Sequence, residues 1–156
     1  MKLPLRVLVL CTANSARSQI AEALLRERGR GCVEVESAGV MPTAQVNPGA
    51  LRVLAVHGIS VVSHRPKRTE EVLSSGWDVV ITVCDQAREA CPVFPEATLT
   101  AHWGVEDPVG VPNEAQAFEE AFQILSRRID EFLSLPLDTL DPEPLRIQLN
   151  RIGWGD

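Results

Sequence analysis

The sequence predicts an α/β fold: a three-layer sandwich around a four-stranded parallel sheet. Three observations carry that reading. Two short aliphatic runs, RVLVL at residues 6–10 and WDVVITV at 77–83, are apolar at nearly every position, as in strands covered on both faces. The stretches between them place apolar residues three and four apart, the spacing of helices that bury one side. The length, 156 residues, suits a single domain able to bury a real core. Residues 1–156 are therefore read as one domain, with a packed extension at 136–156.

The elements follow in order. After the first strand at 6–10 comes a polar loop, then a helix over 18–28 with Ile20, Ala21, Leu24 and Leu25 on its inner face, closed by Gly29 and Gly31. Residues 32–37, CVEVES, alternate like a second strand. Asn47 and Pro48 open a second helix, with Leu51, Leu54 and Ala55 inward and Gly58 as its stop. Residues 60–67 read as a loop into a short helix at 69–75, and 77–83 as the strongest strand. Residues 84–97 are polar, with a short helix, and carry Cys84 and Cys91. A short strand at 98–101 leads to the loop HWGVEDPVGVP. The longest helix spans 113–133, with Ala117, Ala121, Ile124, Leu125, Ile129 and Phe132 inward. Pro136, Pro142 and Pro144 then break helix before a short final segment at 145–152. Its Leu145, Ile147, Leu149 and Ile152 pack it onto the domain or against another subunit.

Composition narrows the function. Fifteen Lys and Arg stand against 21 Asp and Glu, a net charge of −6, which argues against a nucleic-acid binder. No run approaches the roughly 18 to 20 apolar residues of a membrane span. Lys2 and the apolar stretch after it imitate a signal peptide, but Arg6 splits the stretch and a polar loop replaces the cleavage site. The expectation is a cytoplasmic protein with reduced thiols. A core of this size needs no disulfide staples, so the four cysteines read as catalytic, redox-active or metal-binding. Their spacing matches no zinc site, and no metal is expected.

The chemistry concentrates in CTANSARS, residues 11–18, where a strand gives way to a helix. Ligands of open parallel sheets bind at such strand ends. The backbone N–H groups of Thr12, Ala13, Asn14, Ser15, Ala16 and Arg17, with the helix N-terminus, can surround an oxyanion. Arg17 can clamp two of its oxygens. The same cation and amides would favour a Cys11 thiolate. Ser18 can donate to that sulfur, and Asn14 can lock the loop's shape. Taken singly, each residue has an ordinary role: a buried strand-end cysteine, a capping serine, a surface arginine. Their combined order favours function.

Cys11, five residues, Arg17 and then Ser18 resemble the phosphate-binding loop of the low-molecular-weight protein tyrosine phosphatase fold. Asp107-Pro108, closing HWGVEDP, resembles that family's general-acid loop. The resemblance spans about residues 5–134 and implies strand order 2-1-3-4. Within the fold, CDQAREACPVFP resembles the redox segment of thioredoxin-coupled arsenate reductases, as do HRPKR at 64–68 and Ser37-Ala38-Gly39. That resemblance implies Cys11 as nucleophile, Cys84 as the thiol that attacks it, Cys91 as the thiol that resolves the disulfide, and Asp107 as general acid. It also implies arsenate or phosphate as the bound oxyanion, thioredoxin as external reductant, no tightly bound cofactor, and a monomer.

Two departures stand out. Ala16 replaces a further cysteine of many relatives, and Ala13 stands where glycine is common, which would strain the loop if φ there were positive. The tyrosines that line the aryl-phosphate cleft in phosphatase relatives are replaced by Val109 and Gly110, losing aromatic packing of about 0.5–1.5 kcal/mol per pair. The leading reading is arsenate reduction with residual phosphatase activity. Alternatives are a phosphatase whose Cys84 and Cys91 regulate Cys11, and a non-enzymatic oxyanion-binding regulator. Cys32 reads as a passive packed thiol, and His102 and Trp103 as loop packing. His57 reads as a helix terminator. His64, Arg65, Lys67 and Arg68 form either a solvated cluster or a source of positive field.

Overall fold

The computed structural model describes residues 1–61 and 64–155; residues 62 and 63 of the expected 60–67 loop, and Asp156, lie outside the described residues. The strands are β1 (Leu5–Cys11), β2 (Val33–Gly39), β3 (Val79–Thr82) and β4 (Leu99–His102), and the helices α1 (Arg17–Arg28), α2 (Pro48–Val56), α3 (Asp85–Glu89), α4 (Glu114–Leu133) and α5 (Pro142–Trp154). All strand pairs are parallel, in the order β2-β1-β3-β4. Successive residues of β1 and β3 point to opposite faces, and nearly all are buried, so both faces of the sheet are covered.

Several elements differ from expectation, each for a visible reason. β3 is shorter than residues 77–83 because side chains take over its start: Asp78 accepts from Arg6 N at 2.8 Å, and Trp77 Nε1 donates to Val72 O. Residues 69–75 form two 3₁₀ turns, Thr69–Glu71 and Leu73–Ser75, instead of one helix. In α2 the inner face is Gly49, Ala50, Val53 and Leu54, while Leu51 and Ala55 are exposed. The phase is set by Gly49, which lies against the Phe118 ring so closely that a β-carbon would come within 2.4 Å of it. In α4 the buried stripe runs Phe118, Ala121, Phe122, Leu125, Ile129, Phe132, with Ala117 and Ile124 only half-buried. Phe118 and Phe122 fit the three-and-four spacing better than Ala117 does.

The tail is longer than expected. Pro142 and Pro144 do not delay the helix; they sit in the first turn of α5, where a missing N–H costs nothing. Leu145, Leu149 and Ile152 are buried, and α5 packs on β4 and α4. Trp103, itself buried and edge-on to Phe132, donates from Nε1 to Leu149 O at 2.9 Å. Leu149→Ala is expected to cost about 2–5 kcal/mol of unfolding free energy. Ile147→Ala, on the exposed face of the same helix, should cost under about 0.5 kcal/mol. Denaturant titration of the two variants checks the contrast.

Candidate active site

Strand register assembles the site. Cys11 pairs with Gly39 of β2, while Leu10 pairs with Thr82 of β3, which in turn pairs with His102 of β4. One step on, Val83 N donates to Leu10 O and Trp103 N to Thr82 O. The four strands thus end in one row, where the strand order reverses on either side of β1. Cys11, Cys84 and the loop carrying Asp107 all leave the sheet from that row.

The loop over residues 12–16 is tied down by its carbonyls. Thr12 O accepts from Met41 N, Ala13 O from Thr43 N, and Ser15 O from Asn47 N. Asn14 O accepts from Gln19 Nε2 and Ala16 O from Ile20 N. In a planar trans peptide the following N–H points opposite to the carbonyl. The amides of residues 13–17 are therefore turned away from this outer strap, toward the loop's interior. Gly39 lets the strap pass: a β-carbon there would lie 2.4 Å from Thr12 O. The positive φ in the loop belongs to Asn14, at 50°, not to Ala13. Asparagine tolerates that left-handed conformation better than most residues, so Ala13 carries no such strain.

Asn14 is fully buried, and its side chain holds the loop from within. Nδ2 donates to Ser18 Oγ and Ser37 Oγ, each at 2.8 Å, and Oδ1 accepts from Lys67 N at 2.9 Å. Ser18 is thus engaged with Asn14. Ser37 Oγ in turn donates to Glu22 Oε1 at 2.7 Å. Glu22 is buried, and its carboxylate faces His64 at 3.0 Å, Arg26 at 3.2 Å and Lys67 at 3.8 Å. His64 and Lys67 are therefore not a solvated cluster. Lys67 sets its charge against a buried acid behind the loop, whereas burial pushes the His64 pKa down, toward the neutral ring. Glu22 and Gln19 escaped the sequence reading because both sit mid-helix, in positions where a polar residue ordinarily faces solvent.

Cys11 and Cys84 are both buried and free, and they are hydrogen-bonded to each other. Cys84 caps α3, accepting from Ala87 N at 3.3 Å, and lies 3.2 Å from Thr12 Oγ1. The hydrogen bond between the sulfurs, with burial, pushes the Cys11 pKa up, although the Arg17 charge and the Thr12 N–H act the other way. The same bond, helped by Thr12, the Ala87 amide and Arg17, lowers the pKa of Cys84 to about 5 against the pull of burial.

Arg17 extends from the first turn of α1 into a cleft of about 270 Å³ lined also by Cys84, Asp85, Gly104, Val105, Glu106 and Asp107. Nη1 donates to Val105 O at 2.8 Å, Nη2 lies 3.7 Å from Asp107 Oδ2, and Nε is buried with no partner among the described residues. The first turn of α1 carries no acidic residue, which leaves its positive end uncompensated. The Asp107 loop is held at a second point, where buried Arg128 of α4 donates to Gly104 O at 3.1 Å. Arg128 was not singled out from sequence; an arginine on a long amphipathic helix gives no sign that it turns inward. A larger neighbouring cleft, about 350 Å³, opens on the other side of Asp107 and contains neither thiol nor cation. No cluster of three or more His, Cys, Asp or Glu side chains is placed to hold a metal among the described residues.

Cys91 stands apart from the sulfur pair. It follows the C-terminus of α3, half-buried, and opens into a separate cleft of about 330 Å³ with Arg88, Thr82, His102 and Asn150. Burial pushes its pKa up. Seven residues of mostly helical chain rise about 10 Å, beyond the roughly 7 Å at which two cysteines can be bridged. Cys32 is half-buried against the core beside Gly29, away from these thiols. His57 caps α2 as expected and also stacks on Phe122 of α4 at 3.9 Å.

A strand-end thiol, a loop whose amides turn inward and an arginine entering a helix come together at one end of a doubly covered parallel sheet. The chain belongs to the low molecular weight phosphotyrosine protein phosphatase family, whose model matches residues 6–143. It is 33% identical over 123 residues to an arsenate reductase of Staphylococcus xylosus, covering 79% of this chain and 92% of that protein. Among solved structures it is similar to an arsenate reductase in the phosphate-binding state (26% identity, TM-score 0.69, 83% of this chain and 97% of that one). It is also similar to a thioredoxin-dependent arsenate reductase of Corynebacterium glutamicum (31% identity, TM-score 0.66, 85% of this chain and 64% of that one). Only Pro142 and Glu143 of α5 fall within the family match.

The hydrogen bond between the two thiols shifts their titrations in opposite directions. Cys84→Ala removes the largest influence raising Cys11, so Cys11 should ionise at lower pH than in the wild type. Cys11→Ala removes the largest influence lowering Cys84, so the pKa of Cys84 should rise from about 5 toward the ordinary thiol range. Alkylation rates against pH, read peptide by peptide, measure both.

Proposed function

We propose that this protein reduces arsenate to arsenite, using Cys11, Cys84 and Cys91 in sequence and an external dithiol, thioredoxin, to restore them. The observation that carries the reading is the second thiol: Cys84 lies hydrogen-bonded to the loop cysteine, a position that simple hydrolysis does not require. The names of the relatives support it, since both reductases and phosphatases share this fold and loop.

Arsenate enters the loop against the amides of residues 12–17 and the Arg17 guanidinium, whose buried Nε still lacks a partner among the described residues. The proton between the sulfurs moves to Cys84, and the Cys11 thiolate attacks arsenic. Asp107, in its acid form, protonates the departing oxygen, which leaves as water. Cys84 then attacks Cys11 Sγ and gives its proton to an arsenic oxygen. The sulfur–arsenic bond breaks with its electron pair left on arsenic, so As(V) becomes As(III) and arsenite departs. The two sulfurs are oxidised to a Cys11–Cys84 disulfide. Cys91 attacks Cys84 next, Cys11 leaves as thiolate, and α3 unwinds to let the Cys84–Cys91 disulfide close. Thioredoxin reduces that bond, its own dithiol becoming the disulfide. No tightly bound cofactor enters these steps.

A phosphatase is the second reading, favoured by the family model. Val109 and Gly110 supply no aromatic wall beside Asp107-Pro108 for a phosphotyrosine ring. Phosphate esters remain secondary substrates, because arsenate and phosphate have the same tetrahedral shape and charge.

Arsenate-dependent NADPH oxidation, coupled through thioredoxin and its reductase, separates the two. Cys84→Ser should lower arsenate turnover by at least about 10³-fold while hydrolysis of a small aryl phosphate persists; undiminished arsenate turnover in that variant would refute the relay. Asp107→Asn should lower both activities, by about 10²–10⁴-fold.

A further inference from the structure

We infer that His102 is a positioning residue of the thiol relay: through Asp85 it holds the reduced, helical form of α3 and thereby sets the redox balance of Cys84 and Cys91. The inference rests on the relay proposed above. His102 is the last residue of β4, and its imidazole is engaged at both nitrogens. Nδ1 lies 2.7 Å from Thr82 Oγ1 of β3, and Nε2 lies 3.0 Å from Asp85 Oδ1. A carboxylate only accepts, so Nε2 carries the proton and Nδ1 accepts from the threonine hydroxyl. Thr82 thus fixes the tautomer and ring orientation, and the ring fixes Asp85. Gly104 closes the packing from the other side, where a β-carbon would come within 2.9 Å of Nε2.

Asp85 is the first residue of α3 and follows Cys84 directly. The helix has little else to hold it. It is five residues long and buries only Ala87, so it is too short to be stable alone. Its attachments at the N-terminal end are the Cys84 cap to Ala87 N, a 3.2 Å hydrogen bond from Thr12 Oγ1 to Gln86 Oε1, and the His102–Asp85 contact. His102 also lines the cleft into which Cys91 opens. One imidazole therefore touches the start of the helix and the space the resolving thiol must cross.

Closing the Cys84–Cys91 disulfide requires α3 to unwind, which moves Asp85 off His102. Any contact present in the dithiol form and lost in the disulfide form favours the dithiol by its own free energy. The latch thus makes the pair a better oxidant and keeps Cys84 at Cys11 until the first disulfide has formed. Removing it should shift the exchange, dithiol plus oxidised glutathione giving protein disulfide plus two reduced glutathiones, toward the protein disulfide. The contact is partly exposed, so the expected shift is about two- to five-fold in the equilibrium constant.

The test equilibrates the full chain in glutathione buffers of graded ratio, quenches with acid, alkylates, and quantifies the Cys84–Cys91 disulfide by peptide mass mapping. His102→Ala and Asp85→Ala should each raise the equilibrium constant about two- to five-fold, and the double variant should go no further than either. Asp85→Asn keeps the Oδ1 acceptor and should return to within about 1.5-fold of wild type, a rescue that a general loss of stability would not give. The Asp85 side chain is almost fully exposed, so its variants leave the core untouched even if His102→Ala does not fold. Unchanged constants in Asp85→Ala overturn the latch while leaving the relay standing. A wild-type protein that forms no Cys84–Cys91 disulfide at any ratio overturns the relay, and the latch with it.

Discussion

The parallel pairing of β1 with β3 is the constraint on which the site depends. Adjacent strands lie about 4.8 Å apart, and Leu10 is registered on Thr82, so the chain leaves both strands at one level, with Cys11 on one side and Cys84 on the other. A slip of one residue would exchange the faces of β3 and turn Cys84 from the loop. The register is enforced from below: Arg6 and Asp78 exchange two hydrogen bonds, backbone to backbone and backbone to carboxylate. The buried valines and isoleucine of β3 reinforce it. Sulfur-to-sulfur contact is thus a consequence of sheet geometry and not of loop flexibility.

The second constraint is electrostatic. A protein of net charge −6 must keep the proposed anion site positive, and its loop supplies dipoles more than charges. The loop's carbonyls are all turned outward to the 41–47 strap or to α1, which orients the amides inward as fixed partial charges. Asn14 holds this arrangement through neutral hydrogen bonds, and the buried acid behind it, Glu22, is balanced by Arg26 and Lys67. That balance keeps a carboxylate from cancelling the loop's field. Arg17 is then the cation of the cleft itself, steadied by the Val105 carbonyl and by Asp107.

How much was legible in the sequence follows from how local each feature is. β1 and β3 could be read because a nearly unbroken apolar run of five to seven residues bounded by turn signals fits a covered strand, and β2 because its residues alternate. Cys11, Arg17 and Asp107 could be read because spacing along one chain fixed their resemblance. The inward face of α2 could not, because its phase is decided by the ring of Phe118, far away in sequence. Glu22, Arg128 and the His102–Asp85 contact were equally hidden. Each is a polar side chain whose partner comes from another element, and nothing in its own neighbourhood marks it as buried or engaged. The α5 tail was half legible: its apolar residues were seen, but prolines that break a helix interior also begin one.

The cysteines join these threads. In the proposed relay, a nucleophile in a rigid loop and a second thiol beside it are held by the sheet, but a third thiol about one short helix away must be reached by motion. The fold meets both demands by placing Cys84 at the N-terminal boundary of α3, so that one residue belongs to the sheet's edge and to the helix at once. The helix is too short to persist alone, and its attachments are hydrogen bonds that unwinding can break without exposing a hydrophobic core. Burial raises the pKa of Cys91, which leaves it a poor nucleophile until that unwinding brings it out. Order in the proposed relay therefore comes from structure: the thiol that acts second already lies beside the loop, and the thiol that acts last opens into a separate cleft, where burial favours its protonated form.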